Sequence, residues 1–300
     1  MTREIMKAKD GKEISVVFWE EVENPIGIIQ ISHGMAEHAM RYDWFAKKMN
    51  ERGILVVADD HRAHGSTYPN TLGYSAGNIW EDTLSDMSSL CDLAKARYEE
   101  KFGKQLPVVL FGHSYGSFLT QAFIRRYAKK LSGAIIGGSH YFVDPTVPLG
   151  KFMAKLGCMF RGEEKPNNFL KKMSFDAYNS KFKEGTFISS IVSECEKYKE
   201  DKTCGFVCSS NFYFFFFKGL LSLYNKEGNS LKDFKILLVA GDQDPVGNMG
   251  KGVLKLKEWY EKQEANVECK IYEGVRHEYL NDTSRDVVTN LMEEFAKSTF

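Results

Sequence analysis

Short runs of β-branched and apolar residues alternate with longer segments of helical period along most of the chain. Several of the short runs are apolar at nearly every position, as expected for strands that are covered on both faces. The alternation predicts an α/β fold with a mostly parallel central sheet flanked by helices. Strands are predicted at 13–19, 27–32, 54–58, 108–111, 133–137, 235–240 and 267–272, and helices at 44–52, 82–102, 117–130, 251–264 and 284–297.

One stretch, from about residue 141 to residue 233, lacks this alternation. It contains helix-like pieces, and the strand and helix patterns resume at Lys235. We therefore interpret 141–233 as an inserted helical cap over the sheet. Residues 1–140 and 234–300 are predicted to form the core.

An aromatic run, Phe212 to Phe217, lies within the predicted cap. Two serines and an asparagine precede it and Lys218 follows it at once, so too few apolar residues are present to span a membrane. A buried cap helix is the expected structure. Two other interpretations stay open: Phe212, Phe215 and Phe216 line a pocket for an apolar substrate, or the cap makes a transient membrane contact through this run.

Charge and cysteine usage exclude several classes of protein. The charges of the 40 basic and 40 acidic side chains cancel and are mixed along the chain. No electrostatic attraction to nucleic acid is therefore expected. The first ten residues carry charges where a signal peptide needs an apolar segment, which predicts a cytoplasmic location. The six cysteines form no C-x-x-C pair and are expected to be reduced thiols. Cys195, Cys204 and Cys208 are close in sequence, but no histidine is near them, so no metal site is expected.

The pentapeptide Gly112-His113-Ser114-Tyr115-Gly116 lies between an apolar run and a helix-like stretch. A G-x-S-x-G sequence between a strand and a helix is typical of a nucleophile elbow, where a Cβ at either glycine would collide with neighbouring backbone. Without such flanking elements the same pattern also arises by chance. Ser114 is therefore the candidate nucleophile, and Gly112 and Gly116 are the elbow glycines.

A serine hydroxyl needs a base to take its proton and an acid to orient that base. In this architecture the order along the chain is nucleophile, acid, histidine, and only His277 of the seven histidines lies beyond residue 140. The acid is expected after the preceding strand, where Gly241-Asp242-Gln243-Asp244-Pro245 offers two carboxylates. Spacing does not choose between Asp242 and Asp244, and either also suits a turn.

Two backbone N–H groups are predicted to stabilise the oxyanion of a tetrahedral intermediate. One belongs to Tyr115, the residue after the nucleophile, and the other to Met35, which follows His33-Gly34 at the end of an early predicted strand.

Four segments together resemble the α/β-hydrolase family that contains monoacylglycerol lipases and lysophospholipases, also called the serine aminopeptidase-like group. The resemblance extends from about residue 10 to the C-terminus and is weakest in the cap. The segments are HGMAEH at 33–38, DHRAHGS at 60–66, GHSYGS at 112–117 and GDQDP at 241–245.

The resemblance implies an α/β-hydrolase fold. It also implies that Asp244 is the acid, because the family places the acid shortly before a helix, and Asp242 remains the alternative. It implies structural roles for His61 and His64, with no metal and no organic cofactor. Ala63 departs from the family, which usually has glycine there.

The combined prediction is a serine hydrolase that cleaves a small lipid-like ester of the monoacylglycerol or lysophospholipid type. Small-ester carboxylesterase, thioesterase and aminopeptidase or amidase activities of the same fold remain alternatives. An exopeptidase would need carboxylates near the pocket to hold a substrate amine. A non-catalytic binding protein is a different class, and the presence of every expected site residue argues against it.

Overall fold

A single mixed sheet runs through the protein, which the computed structural model describes over residues 1–143, 145–225, 228 and 230–300. Its strands are β1 Thr2–Lys7, β2 Glu13–Trp19, β3 Gly27–Ser32, β4 Ile54–Asp59, β5 Val108–His113, β6 Gly133–Gly137, β7 Lys235–Gly241 and β8 Asn266–Tyr272. They lie in the order β1-β2-β4-β3-β5-β6-β7-β8. β2 pairs antiparallel with β1 and β4, and the neighbours from β4 to β8 are parallel. The predicted mostly parallel sheet is confirmed.

Helices cover both faces of this sheet. The α-helices of the described residues are α1 Asp43–Glu51, α2 Ile79–Phe102, α3 Tyr115–Tyr127, α4 Thr146–Arg161, α5 Asn168–Lys171, α6 Ala177–Asn179, α7 Val192–Glu200, α8 Ser210–Ser222, α9 Lys251–Glu261 and α10 Arg285–Thr299. Successive strand residues point to opposite faces, so each strand contributes to two cores. In β2, Val16 and Phe18 pack beneath α2 and α3, whereas Val17 and Trp19 pack beneath α1 and α10.

Several predicted boundaries are shifted by one to three residues, and one strand is additional. The three-residue shifts are at the start of α2 and at the ends of α3 and α9. β1 lies at the sheet edge, and only Met6 among its six residues is buried, so it lacks the apolar run that marked the other strands. α2 begins at Ile79, three residues earlier than predicted, because the Asn78 side chain caps it by accepting a hydrogen bond from the backbone N–H of Glu81. α9 ends at Glu261 rather than at residue 264.

The helices α4 to α8 lie between β6 and β7, in the stretch where the sequence predicts a cap. α8 carries the aromatic run and packs against both α4 and α2, so it joins this insertion to the core. The cap boundaries at 141 and 233 stay a prediction. Within the described residues, every helix is too short or too polar to cross a bilayer.

Candidate active site

Ser114 occupies a sharp turn between the end of β5 and the start of α3. Its backbone has φ 53° and ψ −119°, a conformation that is strained for a residue with a side chain. The turn is held by its own backbone: the N–H of Ser114 donates to the carbonyl of Gly137 at 3.0 Å, and its carbonyl accepts from the N–H of Ser117 at 2.8 Å. This is the geometry of a nucleophile elbow, which exposes the serine oxygen at the edge of the sheet.

The two glycines of the elbow have no room for a side chain. A Cβ on Gly116 would lie 1.9 Å from the carbonyl oxygen of Ser32, and one on Gly112 would lie 2.3 Å from the carbonyl oxygen of Gly116. Both clashes involve backbone, which cannot move aside without opening the turn. The predicted need for glycine at both positions therefore has a direct steric cause.

His277 and Asp244 meet beside this turn, on loops that follow β8 and β7. Nδ1 of His277 lies 3.0 Å from Oδ1 of Asp244, and both side chains are almost fully buried. Nδ1 has no other partner among the described residues. Such contacts are often loose in an enzyme without substrate and tighten in the complex.

The Asp242 side chain has a different partner, although Asp242 is only two positions from Asp244 in the sequence. Its Oδ1 accepts a hydrogen bond from the backbone N–H of Gly274 at 2.8 Å, which holds the turn after β8. Asp244 instead directs one oxygen towards the His277 ring, while the same oxygen accepts the N–H of Val246 at 2.8 Å. The structure thus brings Asp244, not Asp242, to the histidine.

The two histidines next to the elbow have opposite electrostatic surroundings. Burial opposes a positive charge on His277, but the Asp244 carboxylate and two more distant glutamates outweigh it and raise the pKa of His277 above its ordinary value. The His113 ring lies 4.7 Å from the His277 ring. Burial and the neighbouring His277 lower the pKa of His113 well below its ordinary value. His277 is therefore the ring able to take up a proton.

The loop after β3 passes close to the serine. A Cβ on Gly34 would lie 3.2 Å from Cβ of Ser114, so Met35 is next to the elbow. Tyr115 is the first residue of α3, and its N–H belongs to the first turn, where the backbone donors have no partner within the helix. Met35 and Tyr115 thus flank Ser114 from two different elements.

A buried network of charges holds this loop. Oε1 of Glu37 accepts the N–H of Gly34 at 2.5 Å, and its other oxygen lies 2.7 Å from the Arg41 guanidinium. Arg41 also binds both oxygens of Glu278, the residue after His277, at 2.6 and 2.7 Å. The network therefore ties the Met35 loop to the His277 loop. The sequence motif contained Glu37, but no local signal indicated Arg41 or Glu278.

Three buried histidines, His33, His61 and His64, lie next to the loop that carries Met35. Nε2 of His33 accepts the backbone N–H of His61 at 2.9 Å, so His33 carries its proton on Nδ1, which donates to the carbonyl of Gly34 at 2.8 Å. The His61 ring is held between Asp59 and Ser32, and Nδ1 of His64 contacts the carbonyl of Arg62. All of the hydrogen bonds named for these three histidines are to other groups of the protein.

Ala63 lies in the loop between His61 and His64 and has a φ of 67°. Glycine adopts this left-handed conformation most easily, which is consistent with the glycine that the family usually has at this position.

A cavity of about 430 Å³ leads away from Ser114 between the sheet and the cap. Ser114, Met35 and Tyr115 lie at its wall, and most of its other lining residues are apolar. Of the three predicted pocket residues, Phe216 lines this cavity. Phe212 is buried behind it with its ring 5.1 Å from the Tyr115 ring, and Phe215 is not among the lining residues. The other aromatic and sulfur-containing lining residues are Phe118, Phe142, Met153, Phe169, Met173, Phe175, Tyr178, Phe187, Tyr213 and Phe217.

The sequence and the fold are both similar to those of known hydrolases. The model of the serine aminopeptidase S33 family matches residues 23–284. The monoacylglycerol lipase of Mycolicibacterium smegmatis is 29% identical over 151 residues, which span 49% of this chain and 51% of that protein. The human monoglyceride lipase is 24% identical over 272 residues, which span 89% of this chain and 80% of that protein.

Solved structures superpose over nearly the whole chain. A thermostable carboxyl esterase from Bacillus coagulans in complex with glycerol has a TM-score of 0.87 at 25% identity and covers 99% of this chain and 98% of its own. A soluble variant of the monoglyceride lipase from Saccharomyces cerevisiae, in complex with a substrate analogue, has a TM-score of 0.78 at 18% identity. That alignment covers 100% of this chain and 95% of the yeast chain. The predicted α/β-hydrolase fold is confirmed.

Proposed function

Because this chain belongs to the serine aminopeptidase S33 family of α/β-hydrolases and is an ester hydrolase similar to monoglyceride lipases, we propose that it cleaves fatty-acyl esters of the monoacylglycerol or lysophospholipid type. The observation that carries this proposal is the apolar cavity that ends at Ser114. An acyl chain in that cavity would place its ester carbonyl beside the elbow.

In the proposed mechanism, Oγ of Ser114 attacks the ester carbonyl while Nε2 of His277 takes the serine proton. The negative charge on the tetrahedral oxygen is stabilised by the N–H groups of Met35 and Tyr115. His277 then gives its proton to the alcohol oxygen, which leaves, and the acyl group stays on Ser114. Water attacks this acyl-enzyme, again with His277 as the base, and releases the fatty acid.

The Asp244 carboxylate has two roles in this mechanism. The carboxylate holds the His277 ring with Nδ1 towards Asp244, so that Nε2 faces Ser114. The charge of the carboxylate stabilises the imidazolium that forms during attack. The raised pKa of His277 supports this role, because a ring with greater affinity for a proton is a stronger base.

The lining of the cavity argues against an aminopeptidase. An exopeptidase needs a carboxylate to hold the charged amine of its substrate. The described residues that line the cavity include no aspartate or glutamate, and those with polar side chains are Ser114, Thr146, Ser174 and three tyrosines. An uncharged apolar chain fits this surface better.

The test of this proposal is to measure turnover of a series of p-nitrophenyl esters from acetate to palmitate. We expect kcat/KM to rise from acetate to a medium or long chain, because each added methylene is buried in the cavity. In Met153→Trp, which narrows the cavity from α4, the optimum should move to shorter chains with acetate turnover retained.

Leu254→Trp is the control, since Leu254 lies on α9, is 48% exposed and does not line the cavity. It should keep the wild-type chain-length profile. Activity restricted to acetate in the wild type would instead support a small-ester esterase and refute the fatty-acyl proposal.

We also propose that the cap makes a transient contact with lipid, through a different surface from the aromatic run. Phe212 and Tyr213 are buried, and the rest of the run packs partly against the core. Six exposed apolar side chains lie instead on α4 and the segment that follows it, and three of the six also line the cavity. The surface comprises Leu149, Phe152, Met159, Phe160, Phe169 and Met173, each between 50% and 78% exposed.

Lysines interleave with this surface, and Lys151 and Lys155 lie on α4 itself. Apolar side chains surrounded by basic ones favour an anionic lipid surface. We expect a Phe152→Ser, Phe160→Ser variant to lose most of its co-sedimentation with liposomes that contain phosphatidylglycerol. Val287→Ser, at an equally exposed valine on α10, is the control and should bind as the wild type does. Equal binding of all three proteins would rule out this surface.

A further inference from the structure

A cluster of three metal-ligating side chains joins the cap to the loop that carries Met35. Nε2 of His38 lies 2.8 Å from Oδ2 of Asp201, and Sγ of Cys204 completes a group whose donor atoms all lie within 4.8 Å of one another. His38 follows the loop after β3, whereas Asp201 and Cys204 lie just after α7 in the cap. Sequence spacing does not reveal this group, because His38 and Asp201 are 163 positions apart.

The aspartate is already oriented as a ligand. Its Oδ1 accepts hydrogen bonds from the N–H and the hydroxyl of Thr203 at 2.8 and 2.6 Å, which leaves Oδ2 directed at His38. The N–H of Cys204 donates to the carbonyl of Asp201 at 3.0 Å, so the same turn fixes the position of the thiol. Hydrogen bonds of this kind around ligands reduce the reorganisation that metal binding requires.

The surroundings carry more negative than positive charge. Arg41 is already paired with both Glu37 and Glu278, so it does not balance the Asp201 carboxylate beside the Cys204 thiol. Cys204 also lines a second cavity, of about 520 Å³, in the cap, which provides a path for a small ion to reach the sulfur. Negative charge and access both favour a cation here.

We propose that His38, Asp201 and Cys204 bind a thiophilic divalent cation of the zinc class, with water as the fourth ligand. One nitrogen, one oxygen and one sulfur donor match the preference of zinc for mixed tetrahedral coordination. A tetrahedral zinc ion holds its ligand atoms roughly 3.3–3.8 Å apart, so the three side chains need to move only slightly. The Cys204 thiol releases its proton to water as the sulfur binds.

The proposed site is adjacent to the contacts that hold the Met35 loop in place. The carbonyl of Ala36 accepts the N–H of Gly205 and the hydroxyl of Tyr198, each at 2.9 Å. The direct contact of His38 with Asp201 is a third connection between the cap segment 198–205 and the loop 34–38. A bound ion would replace that contact by a metal bridge and add Cys204 to it. This connection is independent of the acyl-transfer chemistry at Ser114.

The test is a cobalt(II) titration of the full-length, reduced chain, followed by absorption spectroscopy. We expect saturable 1:1 binding with a thiolate-to-cobalt charge-transfer band, and displacement of cobalt by zinc. His38→Gln and Cys204→Ser should each weaken binding at least about tenfold. Cys158→Ser removes a partly exposed cysteine on α4 and should bind as tightly as the wild type. Equal affinity in all four proteins, or no charge-transfer band in the wild type, would overturn the proposal.

A second measurement needs only the wild-type chain, so it decides the question even where a variant fails to fold. Alkylation by iodoacetamide is followed by mass spectrometry with and without zinc. We expect zinc to slow modification of Cys204 several-fold and to leave Cys158 unchanged. Identical modification rates at Cys204 under both conditions would contradict a metal-bound sulfur.

Discussion

Ser114→Ala is expected to lower kcat for p-nitrophenyl esters by on the order of 10⁵- to 10⁶-fold while the protein stays folded. In the proposed mechanism the substitution removes the oxygen that forms the acyl-enzyme, and the remaining groups cannot use water as effectively. Alanine has no Cβ branch and occupies the strained turn without a new clash, so stability should change little. The measurement is steady-state kinetics together with labelling by a fluorophosphonate, which reacts with activated serines.

Ser117→Ala is the matched control for this experiment. Its hydroxyl also lies at the elbow, where it donates to the Ser114 carbonyl at 2.6 Å and contacts the Ser139 hydroxyl, but it does not face the cavity. We expect at most about a tenfold loss in Ser117→Ala, with mass spectrometry locating the phosphonate on Ser114. A Ser114→Ala variant that keeps a large part of its kcat, or a label on another serine, would remove Ser114 from the mechanism.

Asp244→Asn is expected to lower kcat by roughly 10⁴-fold, because an amide neither stabilises the His277 imidazolium nor selects the reactive tautomer. Asp242→Asn should cost far less, since an asparagine oxygen still accepts the N–H of Gly274. Both residues lie in the same five-residue turn, so the pair separates the chemical role from a local structural one. The opposite order of the two losses would exchange the roles of Asp242 and Asp244.

The pH profile gives an independent check on this pair. The charge of Asp244 raises the pKa of His277, so removal of that charge lowers this pKa. His277 must be unprotonated to act as a base, and kcat/KM therefore rises with pH through its pKa. In Asp244→Asn the acid limb of the profile should move to lower pH. A limb that stays in place would show that Asp244 does not act through His277.

The elbow could be predicted from sequence because its causes are local. A strand, a tight turn and a helix follow one another within about twenty residues, and a Cβ on Gly112 would clash with the nearby carbonyl of Gly116. The clash at Gly116 is with the carbonyl of Ser32 on β3, so that requirement depends on the sheet. His277 could be predicted because the chain order in this architecture left a single histidine to consider. Strands with continuous apolar runs were equally visible, whereas β1, with one buried residue, was not.

The choice between the two aspartates required the fold. β7 and β8 pair in parallel up to Gly241 and Tyr272, so the loops after both strands emerge side by side at one edge of the sheet. Only the path of the chain beyond Gly241 then determines which carboxylate reaches His277. Spacing of two residues in a turn does not encode that direction.

The pocket and the charge networks were also decided by tertiary packing. The aromatic run is a continuous apolar segment in the sequence. On α8 its side chains point in different directions, so Phe216 lines the cavity while Phe212 is buried behind it. Local sequence determined the periodicity of each element and the turn at Ser114, since these depend on neighbours in the chain. Contacts such as Arg41 with Glu278 and His38 with Asp201 join residues more than 160 positions apart, and only the packing of the cap and loops on the sheet brought them together.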